Sequence, residues 1–319
     1  MNVDKPRLDV VIVNWNTGRY LRECLTALAA SSQTQFTPGL VTIVDNGSRD
    51  DSLDRLAALP SPLRIVRNTE NRGFAAACNQ GAREGSAEYV LFLNPDTRVS
   101  RDALDRTVAF MHDRANDVIG ICGSRVVGES GSEEFSCARF PTLWMVTAKM
   151  TGLARIFPQW IPRQRLDPRE LQTSRAVDQV IGAYFMIRRG LFAALGGFDE
   201  RFFVYFEEVD LAYRSMQLGH PSYFLHDATV YHIGGVSSDH ARGTRLFYSL
   251  RGRTEYARKH WPRWQAPVLS LLTIAVELPV RWLVAVKRGR NEPKAVGEAA
   301  QRYLRYVILE HGADDVRRA

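Results

Sequence analysis

In this 319-residue chain, the side chains equipped to act on a ligand are mostly acids and amides placed where apolar runs stop. Asp96 is the sharpest case. Val90-Leu91-Phe92-Leu93 reads as a strand buried on both faces, and Asn94-Pro95-Asp96 ends it, because Pro95 has no amide hydrogen and biases Asn94 away from helix. A carboxylate at the carboxyl edge of an open α/β sheet stands where such sheets bind ligands, which makes Asp96 a candidate metal ligand. A turn or a helix N-cap is its other use. Asp45 ends Val41-Thr42-Ile43-Val44 in the same way, and Asn46-Gly47 after it also suits an Asx-turn. Glu207, Glu208 and Asp210 open a helical pattern in which Glu207, Asp210 and Leu211 share one face and Glu208 points away. The helix dipole favours acids there in any case, and Asp210 with Arg214 has the spacing of a helix-surface pair. His232 follows Thr229-Val230-Tyr231 and precedes Gly234-Gly235, an imidazole at a strand end where ligation and a structural role both fit.

The elements that must position these groups repeat. Val10-Val11-Ile12-Val13 is followed by Asn14-Trp15-Asn16-Thr17-Gly18 and a helical pattern through Leu21, Leu25 and Leu28. After the strand ending at Asp45, Leu53, Leu56 and Leu59 mark a second helix. Leu63-Arg64-Ile65-Val66 is a third strand, leading through Asn71-Arg72-Gly73-Phe74 to a small-residue helix from Ala75 to Ala82. The strand before Asp96 is the fourth. Such repeats predict a parallel, right-handed, doubly wound α/β sheet. A helix from Ser100 or Arg101 to about Arg114 and a strand from Val118 to Cys122 follow, then an irregular stretch, 128–178, read as an acceptor-side insertion. Val180 to Ile187 returns as a strand whose Gly182-Ala183 step lets another group approach the backbone.

Composition narrows the class. With 45% hydrophobic residues the chain can bury a large core. Residues 1–240 hold 26 Lys+Arg against 28 Asp+Glu, and residues 241–319 hold 16 against 7, so the basic character sits in the tail. No zinc-finger spacing, helix-turn-helix pattern or aromatic RNA-binding motif accompanies it, which argues against nucleic acid and leaves an anionic membrane surface or water. Cys24, Cys78, Cys122 and Cys137 form no C-x-x-C pair and suit reduced thiols of a cytoplasmic protein, and the start of the chain lacks an apolar signal core. From Pro267 to Val286 the chain is strongly apolar, but Glu277, Pro279 and Arg281 interrupt it before a bilayer is spanned. Basic flanks with Trp261, Trp264 and Trp282 suit a helix lying on a membrane; a packed subdomain or an oligomer contact is the other reading.

Five pieces in order, Val11 to Asn16, Val44 to Asp50, Asn71 to Gly81, Phe92 to Asp96 and Gly196 to Arg214, resemble the inverting GT-A glycosyltransferases of family 2, in particular their bacterial rhamnosyltransferase branch. The resemblance covers roughly residues 8 to 240. It implies a GT-A fold, a Rossmann-like and mostly parallel sheet flanked by helices, at 1–240 (nucleotide-sugar half about 8–125, acceptor half about 126–240), with a C-terminal helical extension at 241–319. It also implies a nucleotide-sugar donor held by Asn16, Asp45, Asn71, Gly73, Phe74 and Asn94, with Gly182, Ala183 and Glu207 on the substrate side. Asp45 would read the base edge. Asn94-Pro95-Asp96 stands where the family carries Asp-x-Asp, so Asp96 would be the direct ligand of Mg²⁺ or Mn²⁺, Asn94 an orienting group and His232 a further ligand. Glu208 matches the base that deprotonates the acceptor hydroxyl.

The implied activity is transfer of a sugar, with L-rhamnose from dTDP-L-rhamnose as first expectation, to a polyprenyl-diphosphate-linked saccharide at the inner membrane face. A UDP-sugar donor (GlcNAc, galactose or galactofuranose) and a non-catalytic sugar-nucleotide-binding protein are the rivals. A nucleotidylyltransferase is excluded, because Asn14 to Gly18 stands where its Gly-x-Gly-Thr-Arg loop belongs.

Overall fold

The computed structural model describes residues 5–56, 58–157, 159–232, 242–289 and 291–316, so Gly234-Gly235 lies outside the described residues. In chain order the elements begin with β1 (Arg7–Asn14), α1 (Arg19–Ala29), β2 (Thr37–Asp45), β3 (Leu63–Arg67), α2 (Phe74–Ala82) and β4 (Tyr89–Leu93). Next come β5 (Thr97–Val99), α3 (Ala103–His112), β6 (Ile121–Val127), β7 (Cys137–Ala138), α4 (Leu143–Met150), α5 (Leu153–Ile156), β8 (Arg175–Val177) and β9 (Gln179–Val180). The chain continues with β10 (Tyr184–Arg188), α6 (Arg189–Ala194), α7 (Glu207–Gln217), β11 (Ser222–His232), α8 (Arg242–His260), α9 (Gln265–Leu272), α10 (Leu278–Arg288) and α11 (Asn291–Val316). They form two compact units, one of Met1–Phe140, Arg165–Phe203 and Glu207–Ser237, the other of Pro141–Gln164, Val204–Phe206 and Ser238–Ala319.

The first unit is built on a nine-stranded sheet in the order β3-β2-β1-β4-β10-β6-β11-β5, with β8 also on β11. The parallel register expected from the repeats holds for β3, β2, β1 and β4. Beyond β4 the sheet is mixed, since β10 runs antiparallel between β4 and β6, and β11 lies parallel to β6 but antiparallel to β5 and β8. β4 is buried on both faces, as its continuous apolar run requires. Leu91 and Leu93 enter one core with Val10, Ile12 and Ile43, and Val90 and Phe92 enter the other with Val11, Val13 and Val44. Phe92 has its ring centroid 4.9 Å from that of Phe198 and 5.2 Å from that of Phe192. Each such burial contributes about 1.5–3 kcal/mol, which fixes the end of β4 against the sheet.

Several expected elements differ. Leu53, Leu56 and Leu59 pack on the core from a turn rather than a helix. Asp50 accepts from the Ser52 amide at 3.3 Å and Ser52 hydroxyl at 2.6 Å, and Pro60 and Pro62 close the segment, so local bonds and ring geometry compete with helix. α3 begins at Ala103 because β5 intervenes, and β6 runs from Ile121 to Val127 instead of stopping at Cys122. The strand expected over 180–187 is broken at Ile181-Gly182-Ala183 into β9 and β10. All four cysteines are free and buried.

The second unit is helical. Phe247 and Leu250 of α8, Leu278 and Ala285 of α10, and Ala299, Tyr303 and Tyr306 of α11 form its core. α9, a π-helical turn (Thr273–Glu277) and α10 follow one another without a break, and Gln265–Lys287 is long and apolar enough to cross a membrane by length and composition. Glu277 in its middle is buried and held by Arg253 at 2.5 Å and Arg281 at 2.8 Å. Burial opposes the charge on Glu277, but the two guanidinium groups outweigh it and hold the carboxyl below its ordinary range.

Candidate functional site

The candidate residues Asn16, Asp45, Asn94 and Asp96 lie just at or beyond the ends of the parallel strands β1, β2 and β4. β1 and β2 finish in register at Asn14 and Asp45. Asn14 is fully buried, and its Nδ2 donates to Asp45 Oδ1 at 2.9 Å, Ser48 Oγ at 3.0 Å and Ser52 Oγ at 2.8 Å. Ser48 Oγ also accepts from the Asn16 amide at 3.0 Å, and Asn16 Oδ1 accepts from the Arg49 amide at 2.8 Å. Asp45 and Asn16 therefore belong to one network, and the carboxylate is oriented by a buried amide rather than left to a turn.

Asn46 next to it organises the following loop. Its Nδ2 donates to Asn71 Oδ1 at 3.0 Å and Gly73 O at 3.1 Å, and its Oδ1 accepts from Asn68 Nδ2 at 3.1 Å and the Arg72 amide at 3.2 Å. Gly73 has φ 88°, and a Cβ there would lie 2.5 Å from Phe203 O, which the Phe74 amide meets at 2.6 Å. Only glycine fits both the conformation and the approach. Asn79 of α2 donates to Phe198 O at 2.9 Å and accepts from the Phe198 amide at 2.9 Å. Asn71, Gly73 and Phe74 are thus joined to the 198–203 loop that leads to the acidic residues. Neither Asn46 nor Asn79 stood out in the sequence; an amide inside the alanine run of α2 was the available signal, since a buried amide needs partners.

Asn94-Pro95-Asp96 is a tight turn in which the Thr97 amide donates to Asn94 O at 3.1 Å. The Asn94 amide donates to Ala183 O at 3.1 Å, joining this turn to the Gly182-Ala183 step, and Gly182 opens onto free space, as a Cβ there would meet nothing within 4 Å. After the turn, β5 pairs with β11 and sets Thr97 opposite His232. That pairing brings His232 Nε2 to 3.3 Å from Asp96 Oδ1. The N-cap use of Asp96 is ruled out, since α3 starts beyond β5. Burial favours the neutral imidazole, but Asp96 and then Glu134 outweigh it and raise its pKa above the ordinary value.

Among the described residues no cluster of three or more His, Cys, Asp or Glu gathers as a metal site. Asp96 and His232 make a pair. Asp96 Oδ1 is buried and makes no aligned hydrogen bond, and the adjacent imidazole nitrogen offers a second donor atom when neutral. A hard oxygen and an imidazole nitrogen fit Mg²⁺ or Mn²⁺, with further positions left for phosphate oxygens and water.

α7 begins at Glu207, preceded by Tyr205 and Phe206 at φ 69° and 75°, a strained conformation for bulky residues. Glu207 is 5% exposed, and its Oε2 is buried without a hydrogen-bond partner. Burial first, and the neighbouring Glu208 second, push its pKa well above the ordinary carboxyl value. Glu208 is half-buried. Asp210 and Arg214 are not a surface pair: Asp210 is fully buried, and Arg214 bonds Asp210 at 2.8 Å, Leu195 O at 2.6 Å and Gly197 O at 2.9 Å. The Gly196-Gly197 turn needs that donor, which is why the ion pair goes inside.

The chain is 27% identical over 89% of its length, and 95% of the relative's, to the N-acetylglucosaminyl-diphospho-decaprenol L-rhamnosyltransferase of Mycobacterium tuberculosis. It is 26% identical to rhamnosyltransferase WbbL of Escherichia coli over 41% of this chain and 47% of that protein. The mannosyltransferase PcManGT of Pyrobaculum calidifontis, solved with GDP-Man and Mn²⁺, superposes over 96% of this chain and 88% of its own with a TM-score of 0.54 at 17% identity, which places the two in the same GT-A fold. The family model of glycosyl transferase family 2 matches residues 9–196, from β1 to the Gly196-Gly197 turn and so across all four parallel strands. The chain belongs to glycosyl transferase family 2 and is a glycosyltransferase.

Proposed function

We propose that this enzyme is an inverting, divalent-metal-dependent transferase that moves L-rhamnose from dTDP-L-rhamnose to a hydroxyl of a polyprenyl-diphosphate-linked saccharide. The meeting of Asp96 and His232 at the carboxyl edge carrying Asp45 is the observation that supports donor chemistry there. The likeness to the M. tuberculosis rhamnosyltransferase over nearly its whole length supports the sugar and the lipid-linked acceptor.

In this reading Asp45, oriented by Asn14, accepts from the base edge, while Asn16, Asn71, Gly73 and Phe74 line the nucleoside and sugar. Asp96 and His232 would hold the divalent ion, which when bound supplies Lewis-acid stabilisation of the diphosphate. Asn94 orients the turn, and the open backbone at Gly182-Ala183 admits substrate. Glu208 takes the proton as the acceptor oxygen attacks the anomeric carbon from the face opposite the phosphate. One C–O bond forms, the sugar–phosphate bond breaks, and the nucleoside diphosphate leaves with inverted configuration at carbon. Glu207 beside the base contacts the acceptor or supports the site.

The test combines a donor screen with one variant. With Mg²⁺ or Mn²⁺ present, dTDP-L-rhamnose should raise the melting temperature more than UDP-GlcNAc, UDP-galactose or UDP-galactofuranose. Glu208→Gln should keep that donor shift and lose about 10²–10⁴-fold in kcat. Turnover unchanged in Glu208→Gln would refute the base assignment, and a larger shift with a UDP-sugar would refute rhamnose.

A further inference from the structure

Of the nineteen large apolar side chains exposed among the described residues, fourteen belong to the second unit. They fall on two separate stretches of chain. One is the C-terminal helices, where Trp282 is 47% exposed and Leu283 59%. The other lies within the insertion, where Ile156 is 67%, Phe157 48% and Trp160 76% exposed. This second stretch is anchored: Val146 of α4 packs with Ala257 of α8 and Ala266 and Leu269 of α9, and Trp261 Nε1 donates to Pro141 O at 3.1 Å.

The charge selects the occupant. Residues 141–164 contain Lys149, Arg155 and Arg163 and no acidic residue, and residues 241–319 hold 16 basic against 7 acidic. A second copy would bring like charge against like, whereas an anionic lipid surface attracts each basic residue by about 1 kcal/mol and takes up tryptophan at its interface. The ion pairs decide how the helix lies. Glu277 is buried against Arg253 of α8 at 2.5 Å, and a membrane-crossing course would part them and carry Glu277 and Arg281 into hydrocarbon.

We infer that the second unit docks in the plane of an anionic bilayer through two elements, α10 and the insertion segment that carries Ile156, Phe157 and Trp160. The inference rests on the reading that the acceptor is lipid-linked, for which it supplies the means of meeting the acceptor at the bilayer surface. It moves 141–164 from an acceptor-side insertion to a lipid-contacting one.

The experiment is flotation of the full chain with vesicles of phosphatidylcholine alone or with one-third phosphatidylglycerol, without donor or acceptor, so that its failure leaves the transferase reading to be judged by the donor screen. Wild type should float with the anionic vesicles and lose that binding in high salt or after carbonate extraction. Ile156→Ser/Phe157→Ser/Trp160→Ser, and separately Trp282→Ser/Leu283→Ser, should each weaken partitioning about ten-fold or more while leaving the melting temperature unchanged. Arg155→Glu/Lys287→Glu, which touches no apolar contact, should weaken the anionic preference by itself. Flotation unaffected by the 156–160 variant would overturn the two-element surface. Resistance to carbonate would overturn the in-plane course, and a dimer in solution with no flotation would overturn the lipid partner.

Discussion

Replacing Glu207 by glutamine tests the electrostatics at the start of α7 most directly. The carboxyl is 5% exposed, with one oxygen buried and unpartnered, and burial together with Glu208 raises its pKa well above the ordinary 4.5. Between 4.5 and that raised value the native state carries a proton which the unfolded chain has released. Stability contributed by this group is therefore full below the unfolded pKa and falls as pH rises, by about 1.4 kcal/mol per pH unit until the native pKa is passed. Glu207→Gln keeps the shape and cannot ionise, so its stability should lack this decline and exceed wild type increasingly with pH. Urea unfolding at pH 5.5, 6.5 and 7.5 measures the difference. Parallel pH profiles for the two proteins would refute the raised pKa of Glu207. Glu208→Gln should recover only part of the slope, since burial is the larger cause.

Asp96→Ala should reduce turnover at least about 100-fold and abolish its response to added Mn²⁺, whereas Asn94→Ala should cost about ten-fold or less, because in the proposed site one carboxylate would carry the metal; equal losses would mean the triplet is misassigned. Arg214→Ala removes the guanidinium shared by Asp210, Leu195 O and Gly197 O and should destabilise by about 3–5 kcal/mol in denaturant unfolding, against about 0.5 kcal/mol for a surface pair. Gly73→Ala forces a Cβ into Phe203 O and a positive φ on alanine, so it should cost about 1–3 kcal/mol and weaken donor binding in a thermal-shift titration.

Much of this molecule can be read from its chain. Apolar runs ending at Asn14, Asp45 and Asn94-Pro95-Asp96 mark both the strands and the ends where the candidate site residues stand, because strand burial and loss of an amide donor are local properties. The order of five motifs was enough to name the family. The basic, tryptophan-bearing tail was visible as composition.

Other features depend on residues that meet only after folding. Leu53, Leu56 and Leu59 have helical spacing, yet Asp50 and two prolines hold them in a turn, so the apolar contacts were foreseeable and the helix was not. The Asp210–Arg214 spacing is the same for a solvated pair and a buried clamp; the need of Leu195 O and Gly197 O for a donor decides between them. The site itself shows the division most clearly. Asp96 could be chosen from its strand, and His232 from its own, but nothing local says that they meet. That follows from β5 resuming directly after the turn and pairing with β11, a long-range hydrogen-bond register that sets Thr97 opposite His232 and leaves the carboxylate 3.3 Å from the imidazole.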